Sequence, residues 1–201
     1  MSSNRLEAFS DAVIAIVITL MVLDIPLPKE FDIGAIVELL RAIIVLFVTF
    51  IVIGAQWVRH HNLFSICNEV SAKVLWRNII YLFFITLFPV FTKWVIENPN
   101  QVVPALGYDI IFFLIFMSFH SMQRVIFEGI EKGKIEEIKK LRQAKSNKFT
   151  RMFVALIFLS IIAILGFSFI YPAISIVFFI VLPVVSSLIN LWNDKHEGNL
   201  R

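Results

Sequence analysis

Six long apolar runs, separated by short blocks of charge, constrain this chain more than any other feature. Each run is close to the length that crosses about 30 Å of hydrocarbon as an α-helix, which rises about 1.5 Å per residue. In lipid a helix satisfies its own backbone hydrogen bonds, so helices suit such runs. The sequence therefore predicts an all-α, polytopic integral membrane protein with one six-helix domain over residues 1–201. The predicted spans are residues 9–27, 42–58, 79–96, 104–122, 152–170 and 172–192.

The composition indicates a lipid environment. Of the 201 residues, 59% are hydrophobic and 16% are charged, whereas a soluble domain has about 45–50% and about 25%. The one cysteine, Cys67, excludes an intramolecular disulfide and leaves no second thiol for a zinc site. A net charge of +3 would suggest nucleic-acid binding in a soluble protein, but in a membrane protein it first reflects topology. We expect no nucleic-acid partner, no resident metal and no cofactor.

The basic residues sort to one side of the predicted membrane. With both termini on the same side, all of the 18 lysines and arginines except Lys29, Arg41 and Lys93 lie on that side. Positive charge stays cytoplasmic during insertion, so both termini are predicted to be cytosolic, in agreement with an even number of spans. The other side carries an acidic excess that attracts cations mildly. Asp24 and Asp109 are candidates for a cation-collecting ring there, although side chains at this depth are often only solvated.

Two connections follow the fourth predicted span. A charged segment at residues 128–148 carries apolar side chains on or near one face, which is typical of an amphipathic helix. We interpret it as a cytosolic helical linker that serves connection or subunit contact. The fifth and sixth spans are joined by little more than Tyr171 and Pro172, which predicts a tight antiparallel hairpin.

The first span is bounded by two carboxylates. Only twelve uncharged residues separate Asp11 from Asp24, which is short for a helix that faces lipid along its whole length. Carboxylates near membrane depth usually face a bundle interior, a partner or a water-filled cavity, so this helix is predicted to be central. In lipid every helix face is apolar, so periodicity alone does not identify what its apolar stripe faces. The stripe consists of Val13, Ile16, Leu20, Leu23 and Leu27.

Two short motifs resemble those of a known channel family. Residues 5–11, Arg-Leu-Glu-Ala-Phe-Ser-Asp, match the R-x-x-x-F-S-D signature that opens the first helix in the transmembrane protein 175 potassium-channel family. Residues 57–64, Trp-Val-Arg-His-His-Asn-Leu-Phe, are similar to that family's W-x-x-H-H-x-x-F. Asn78 and Pro89 in the third span also fit the family's pattern. The resemblance covers the whole chain in span count and topology, although these motifs lie in its first half.

The resemblance implies a potassium channel whose pore is lined by the first helix of each subunit. A single six-helix unit resembles the family's bacterial form, which implies a homotetramer in the bacterial plasma (inner) membrane, with K+ as the permeating ion. By position, the resemblance implies that Ile16, Leu20 and Leu23 form constricting rings and that Thr19 and Val13 line the pore beside them. A narrow aliphatic ring of this kind expels water when closed and admits a partly hydrated ion when a small helix rotation widens it.

The resemblance also implies a polar network at the cytosolic end of the first helix. A charge-paired cluster there would fix the rotation of that helix, and so the pore diameter, without binding the ion. Outside this context, the histidines would be interfacial residues that meet lipid headgroups. An aromatic belt is a sufficient explanation for the four tryptophans, Trp57, Trp76, Trp94 and Trp192. The implied members are Arg5, Phe9, Ser10 and Asp11 from the signature, with His60, His61, Trp76 and Asn78 from the second and third helices.

Two other function classes stay open. A secondary cation transporter would favour paired inverted repeats and broken helices, which the sequence does not display, and a proton-permeable path is a variant of the channel hypothesis. An enzyme would need a nucleophile with its base. Ser10, Asp11 and His60 have the residue types of a Ser-His-Asp site, but no nucleophile elbow surrounds Ser10. We therefore predict a channel without enzymatic activity. No Thr-Val-Gly-Tyr-Gly loop occurs, so potassium selectivity would not come from four carbonyl rings.

Overall fold

The computed structural model of the chain describes residues 2–25, 27–28, 32–67 and 70–133, together with the isolated positions 163, 166, 171 and 172. Within these residues, four helices are long and apolar enough to cross a membrane. The helices are α1 (Ser3–Leu20), α2 (Ile33–Phe64), α3 (Ala72–Glu97) and α4 (Val102–Gly133), and a 3-10 turn, Met21–Asp24, continues α1.

The first four predicted spans are confirmed as helices, although the helical part of the first ends at Asp24, before its predicted end at residue 27, and the described elements are all helical. α1 begins before the predicted span because the signature residues are themselves helical, and α4 continues through the first residues of the predicted linker. The rest of the linker at 128–148 and most of the fifth and sixth spans lie outside the described residues. The count of six helices, the hairpin and the cytosolic termini therefore stay predictions.

Short polar side chains define where α2 and α3 begin. The Asp32 carboxylate accepts a hydrogen bond from the Ala35 N–H at 2.7 Å, and the Ser71 hydroxyl accepts one from the Val74 N–H at 3.4 Å. Such a cap satisfies one of the amide groups that the first helical turn leaves without a partner. α2 and α3 thus begin at defined points, at opposite ends of the bundle.

α3 and α4 form the aromatic core of the bundle. They run antiparallel, since only a short turn joins them, and their rings meet along their length. The Phe88 and Tyr108 ring centroids are 5.5 Å apart, and those of Tyr81 and Phe119 are 5.7 Å apart. Ring pairs at such distances stabilise packing beyond the area they bury. Gly107 permits the close approach, because a Cβ there would lie 2.9 Å from an aromatic ring of α3.

α1 packs against the rest of the bundle with one face only. The buried side chains on that face recur at three- or four-residue steps: Ser3, Leu6, Ser10, Ile14 and Val17. The side turned away from the bundle carries large apolar side chains that are more than half exposed: Phe9, Ile16 and Leu20 on α1, and Leu23 in the 3-10 turn. In a membrane such a face meets lipid, another subunit or a path between subunits. Among the described helices, none covers this side of α1.

Candidate functional site

A chain of buried hydrogen bonds joins α1, α3 and α2 near the N-terminal end of α1. The Ser10 hydroxyl donates to the Leu6 carbonyl oxygen at 2.8 Å and accepts from Asn78 Nδ2 at 2.8 Å. Asn78 Oδ1 lies 2.8 Å from His60 Nε2. Ser10, Asn78 and His60 are each 0% exposed, so a hydrogen bond lost here is not replaced by one to water. We call these three residues the polar anchor.

The polar anchor has one consistent arrangement of protons. The Ser10 hydroxyl uses its single proton on Leu6, so it must accept from the Asn78 amide group. Asn78 then presents its carbonyl oxygen to His60, whose Nε2–H donates. Within the described residues, His60 Nδ1 is buried without a hydrogen-bond partner, which favours a neutral ring over a buried cation. The polar anchor is therefore a chain of uncharged groups with a fixed donor direction.

Aromatic rings hold the imidazole of His60 in place. It stacks on Phe64 with 4.5 Å between ring centroids and on Tyr81 with 5.7 Å. The Tyr81 hydroxyl also donates to the Gln56 carbonyl oxygen, one turn before His60, at 3.4 Å. Because the imidazole is packed between these rings, its Nε2 stays aimed at Asn78.

Two more exposed contacts join α1 to α2 beside the polar anchor. Trp57 Nε1 donates to Asp11 Oδ1 at 2.9 Å, and His61 Nδ1 lies 2.6 Å from Glu7 Oε1. Glu7 and Asp11 are four residues apart on α1, as are Trp57 and His61 on α2, so each pair shares a helix face. Exposed pairs contribute about 0–1 kcal/mol each. We call these four residues, Glu7, Asp11, Trp57 and His61, the rim.

The side of α1 away from the polar anchor is not covered by the other described helices. Ile16 is 55% exposed, Leu20 54% and Leu23 78%, and we call these three residues the aliphatic face. Thr19 lies beside them and donates its hydroxyl proton to carbonyl oxygens of the preceding turn at 2.9 and 3.1 Å. Its oxygen lone pairs remain available. Val13, which the resemblance placed in the pore, is half-buried and packs against the core.

The structure brings together Ser10, Asp11, His60, His61 and Asn78, five of the residues that the resemblance placed in one network. The other three lie apart from it within the described part of the chain. They are Arg5, which is exposed and forms no hydrogen bond or ion pair there, Phe9, which is 52% exposed, and Trp76, which is 64% exposed.

The expectation for Asp109 is wrong. Instead of standing at the surface in a ring with Asp24, Asp109 is 0% exposed inside the bundle. Its position along α4 is near the helix end, but the rotation of α4 turns it inward. Asp24 lies in the 3-10 turn, Met21–Asp24, and its role in attracting cations stays a prediction.

Three residues of the site were missed by sequence reasoning: Glu7, Trp57 and Tyr81. At the level of sequence, Trp57 is explained by an aromatic belt, and Glu7 stands at a variable position of the signature. The matched spacing of residues 7 and 11 with residues 57 and 61 was a signal that could have identified the rim. Tyr81 follows Asn78 by three residues, which places both on one face of α3.

Comparisons with known proteins agree on one family. The family model described as "Endosomal/lysosomal potassium channel TMEM175" matches residues 5–89. A protein named as a potassium channel from Chryseobacterium sp. (strain P1-3) is 32% identical over 189 residues, which cover 92% of this chain and 92% of that protein. A Danio rerio protein named "Endosomal/lysosomal proton channel TMEM175" is 24% identical over 209 residues, which cover 98% of this chain and 39% of that protein.

A solved structure is similar as well. It is the crystal structure of a lysosomal potassium-selective channel TMEM175 homolog from Chamaesiphon minutus, with a TM-score of 0.69 and 26% sequence identity. The match covers 92% of this chain and 96% of that one. The residues matched by the family model, 5–89, include the polar anchor, the rim and the aliphatic face.

Proposed function

Because the chain belongs to the transmembrane protein 175 (TMEM175) family, a family of ion channels and not of enzymes, we propose that it is the subunit of a potassium-selective channel. K+ would flow passively through it, down its electrochemical gradient. Support comes from the Chryseobacterium relative, which is named a potassium channel, and from the structural similarity to a potassium-selective homolog.

The division of α1 into two faces carries this proposal. Ser10, buried and bonded to Asn78, holds one face against the bundle, whereas Ile16 on the opposite face is 55% exposed. A helix held in this way can present the same side chains to a shared axis in every copy. We infer a homotetramer in the bacterial plasma membrane, in which four aliphatic faces surround the path of the ion.

The aliphatic face supplies the proposed gate. Ile16 and Leu20 are four residues apart, so their rings would lie about 6 Å apart along the axis. Rings of large aliphatic side chains expel water when they are narrow, which blocks a hydrated cation without any charged barrier. Thr19, whose hydroxyl proton is bonded within its own helix, could offer oxygen lone pairs to an ion that has lost part of its water.

The polar anchor and the rim would determine the diameter of the pore at the gate. The tip of a side chain lies about 5 Å from the helix axis, so a rotation of α1 by about 20° moves it by about 2 Å. With four copies, a rotation of this size would change the pore from dry to wet. Gating by rotation thus requires contacts that hold α1 at defined angles, and Asn78 and Trp57 make such contacts with it.

The distribution of charge supports cytosolic termini. The beginnings of α1 and α3 carry Arg5, Lys73 and Arg77 and lie at the same end of the bundle as the polar anchor. Positive charge favours the cytosolic side during insertion. On this basis we propose that the polar anchor faces the cytosol and that Asp24, in the 3-10 turn after α1, faces the outside. We propose the full chain as one six-helix domain in this orientation.

A proton-permeable channel is the second candidate. It is favoured by the Danio rerio relative, which is named a proton channel. Reversal potentials that follow the pH gradient across the membrane, measured at constant K+, would identify this variant. Potentials that follow the K+ gradient alone would exclude it.

The test of the proposal is ion flux through the purified protein in liposomes. We expect K+ conductance in the unaltered protein and a rise of about tenfold in resting flux for Ile16→Asn, since lowering the barrier by about 1.4 kcal/mol gives that factor. Sodium leak should rise with it. The matched control is Ile44→Asn, because Ile44 is 57% exposed on α2 and Ile16 is 55% exposed on α1. The control should leave both fluxes unchanged.

Three results would contradict the proposal. Absence of cation conductance at every voltage and gradient would remove the channel. Flux that saturates at slow turnover would favour a secondary transporter. Equal effects of Ile16→Asn and Ile44→Asn on ion flux would mean that α1 lies no nearer to the ion path than α2 does.

A further inference from the structure

A groove of about 600 Å³ opens between the 3-10 turn, α2 and α3 at the end of the bundle opposite the polar anchor. It is formed by the first turns of α2 and the last turns of α3. Four charged side chains line it: Glu38 and Arg41 from α2, with Lys93 and Glu97 from α3. All four are exposed. Each helix therefore brings one cation and one carboxylate to the groove.

The charges are arranged in two tiers. α2 begins at this end of the bundle, so Glu38 lies about 4.5 Å nearer the membrane surface than Arg41. α3 ends there, so Glu97 lies about 6 Å nearer the surface than Lys93. Both carboxylates thus form an outer tier, and both cations form a tier about one helical turn deeper.

The wall below the cations is apolar. On α2 it continues with Val45 and Leu46, and on α3 with Pro89 and Val90. From the surface inward, the groove therefore presents carboxylates, then cations, then hydrocarbon. A phospholipid with an ethanolamine headgroup has complementary groups in the same order, namely an ammonium, a phosphate and acyl chains.

The four charges are open to a ligand. In the described part of the chain, no ion pair within 4.0 Å joins two of these four side chains. The ion pair that is present there joins His61 to Glu7, at 2.6 Å. Opposite charges on neighbouring helices, placed without a mutual ion pair, can each bind a separate group of one zwitterion.

We propose that this groove is a binding site for phosphatidylethanolamine. Glu38 and Glu97 accept hydrogen bonds from the ammonium, Arg41 and Lys93 bind the phosphate, and the acyl chains follow the apolar wall. Phosphatidylcholine lacks N–H donors for the carboxylates, and phosphatidylglycerol brings no cation to them. The two tiers of charge therefore favour the binding of phosphatidylethanolamine over that of either of these lipids. This proposal requires that the helices lie in a membrane, but it does not require that the protein conducts ions.

The experiment is native mass spectrometry of the delipidated full chain, titrated in detergent with phosphatidylethanolamine, phosphatidylcholine or phosphatidylglycerol of identical acyl chains. We expect the ethanolamine lipid to bind about fivefold more tightly than the others, a modest factor because the charges are exposed. The double variant Glu38→Arg with Arg41→Glu keeps the composition and net charge but reverses the order of charge on α2. It should reduce the preference to within about twofold.

A matched swap serves as the control. Arg124 and Glu128 are exposed on α4 at the other end of the bundle, so Arg124→Glu with Glu128→Arg should leave the lipid preference unchanged. If the groove swap fails to fold, Glu38→Gln with Glu97→Gln provides a milder test, and it should weaken ethanolamine binding while sparing phosphatidylglycerol.

Two results would overturn the proposal. The first is an unaltered protein with no preference for phosphatidylethanolamine. The second is a groove variant that keeps the preference in full; if the groove swap also changes the number of subunits, the groove belongs to a contact between copies. Because lipid binding is read by mass, a chain that bound the lipid but conducted no ion would disprove only the proposed channel.

Discussion

Ile14 and Ile16 are two residues apart on α1 and carry the same side chain, yet Ile14 is 2% exposed and Ile16 is 55% exposed. Ile14 belongs to the face that Ser10 holds against the bundle through Asn78 and His60. Ile16 belongs to the aliphatic face, which none of the described helices covers. Since the two residues are chemically identical, the difference between them arises from the rotation of the helix alone.

The comparison shows what determines the rotation of a helix about its own axis in a membrane. An isoleucine stays in apolar surroundings whether it faces lipid or protein, so aliphatic residues exert little preference for either side. A serine or an asparagine turned toward lipid would lose its hydrogen bonds. The few polar side chains on one face of α1 therefore decide which aliphatic side chains appear on the other.

Alanine substitutions at the two isoleucines give the largest expected difference in stability. Ile14→Ala should lower the free energy of unfolding by about 2 kcal/mol, near the lower end for a buried isoleucine, because a cavity forms while the unfolded helix remains in apolar solvent. Ile16→Ala should change it by about 0.5 kcal/mol or less. Denaturant titration in detergent micelles measures both. Equal losses would contradict the division of α1 into two faces.

Breaking the polar anchor should have the next largest effect. Asn78→Leu removes two hydrogen bonds and leaves the His60 Nε2–H buried without an acceptor, at a cost of about 1–2 kcal/mol. Asn62→Leu is the control, since Asn62 is exposed near the end of α2. Thermal unfolding in detergent separates the two variants. A stability loss in the control as large as that of Asn78→Leu would mean that the polar anchor has no special role.

The smallest expected effect belongs to the rim. Trp57→Phe removes the N–H that bonds Asp11 and should cost about 0.5 kcal/mol, because the pair is partly exposed. Its proposed influence on the rotation of α1 should appear as a changed open probability in single-channel recordings. Trp94→Phe is a matched control, since Trp57 and Trp94 are each 41% exposed. Unchanged gating in Trp57→Phe would restrict the rim to a structural role.

The all-helical class could be predicted from the sequence because a membrane-spanning helix is recognised by the length and the composition of an apolar run alone. The first four apolar runs all became helices, and Ser10, His60 and Asn78, which the resemblance placed in one network, lie in one chain of hydrogen bonds. Both results rest on information that is local in the sequence or carried by a motif.

The rotation of each helix could not be predicted. Trp57 and Trp76 both stand near helix ends, yet Trp57 bonds Asp11 while Trp76 is 64% exposed and lies apart. Asp109 has the position of a surface residue along α4 but is buried by the rotation of that helix. Hydropathy indicates how deep a residue lies along the membrane normal. Which way its side chain points around the helix axis depends instead on contacts between helices that are distant in sequence.

Imaging of the purified particles along the membrane normal tests the central claim most directly. The account predicts four-fold symmetry, with α1 of each subunit beside the axis and Ile16, Leu20 and Leu23 directed toward it. An assembly with α1 at its periphery, where the aliphatic face touches acyl chains, would contradict the account, as would particles without a central axis.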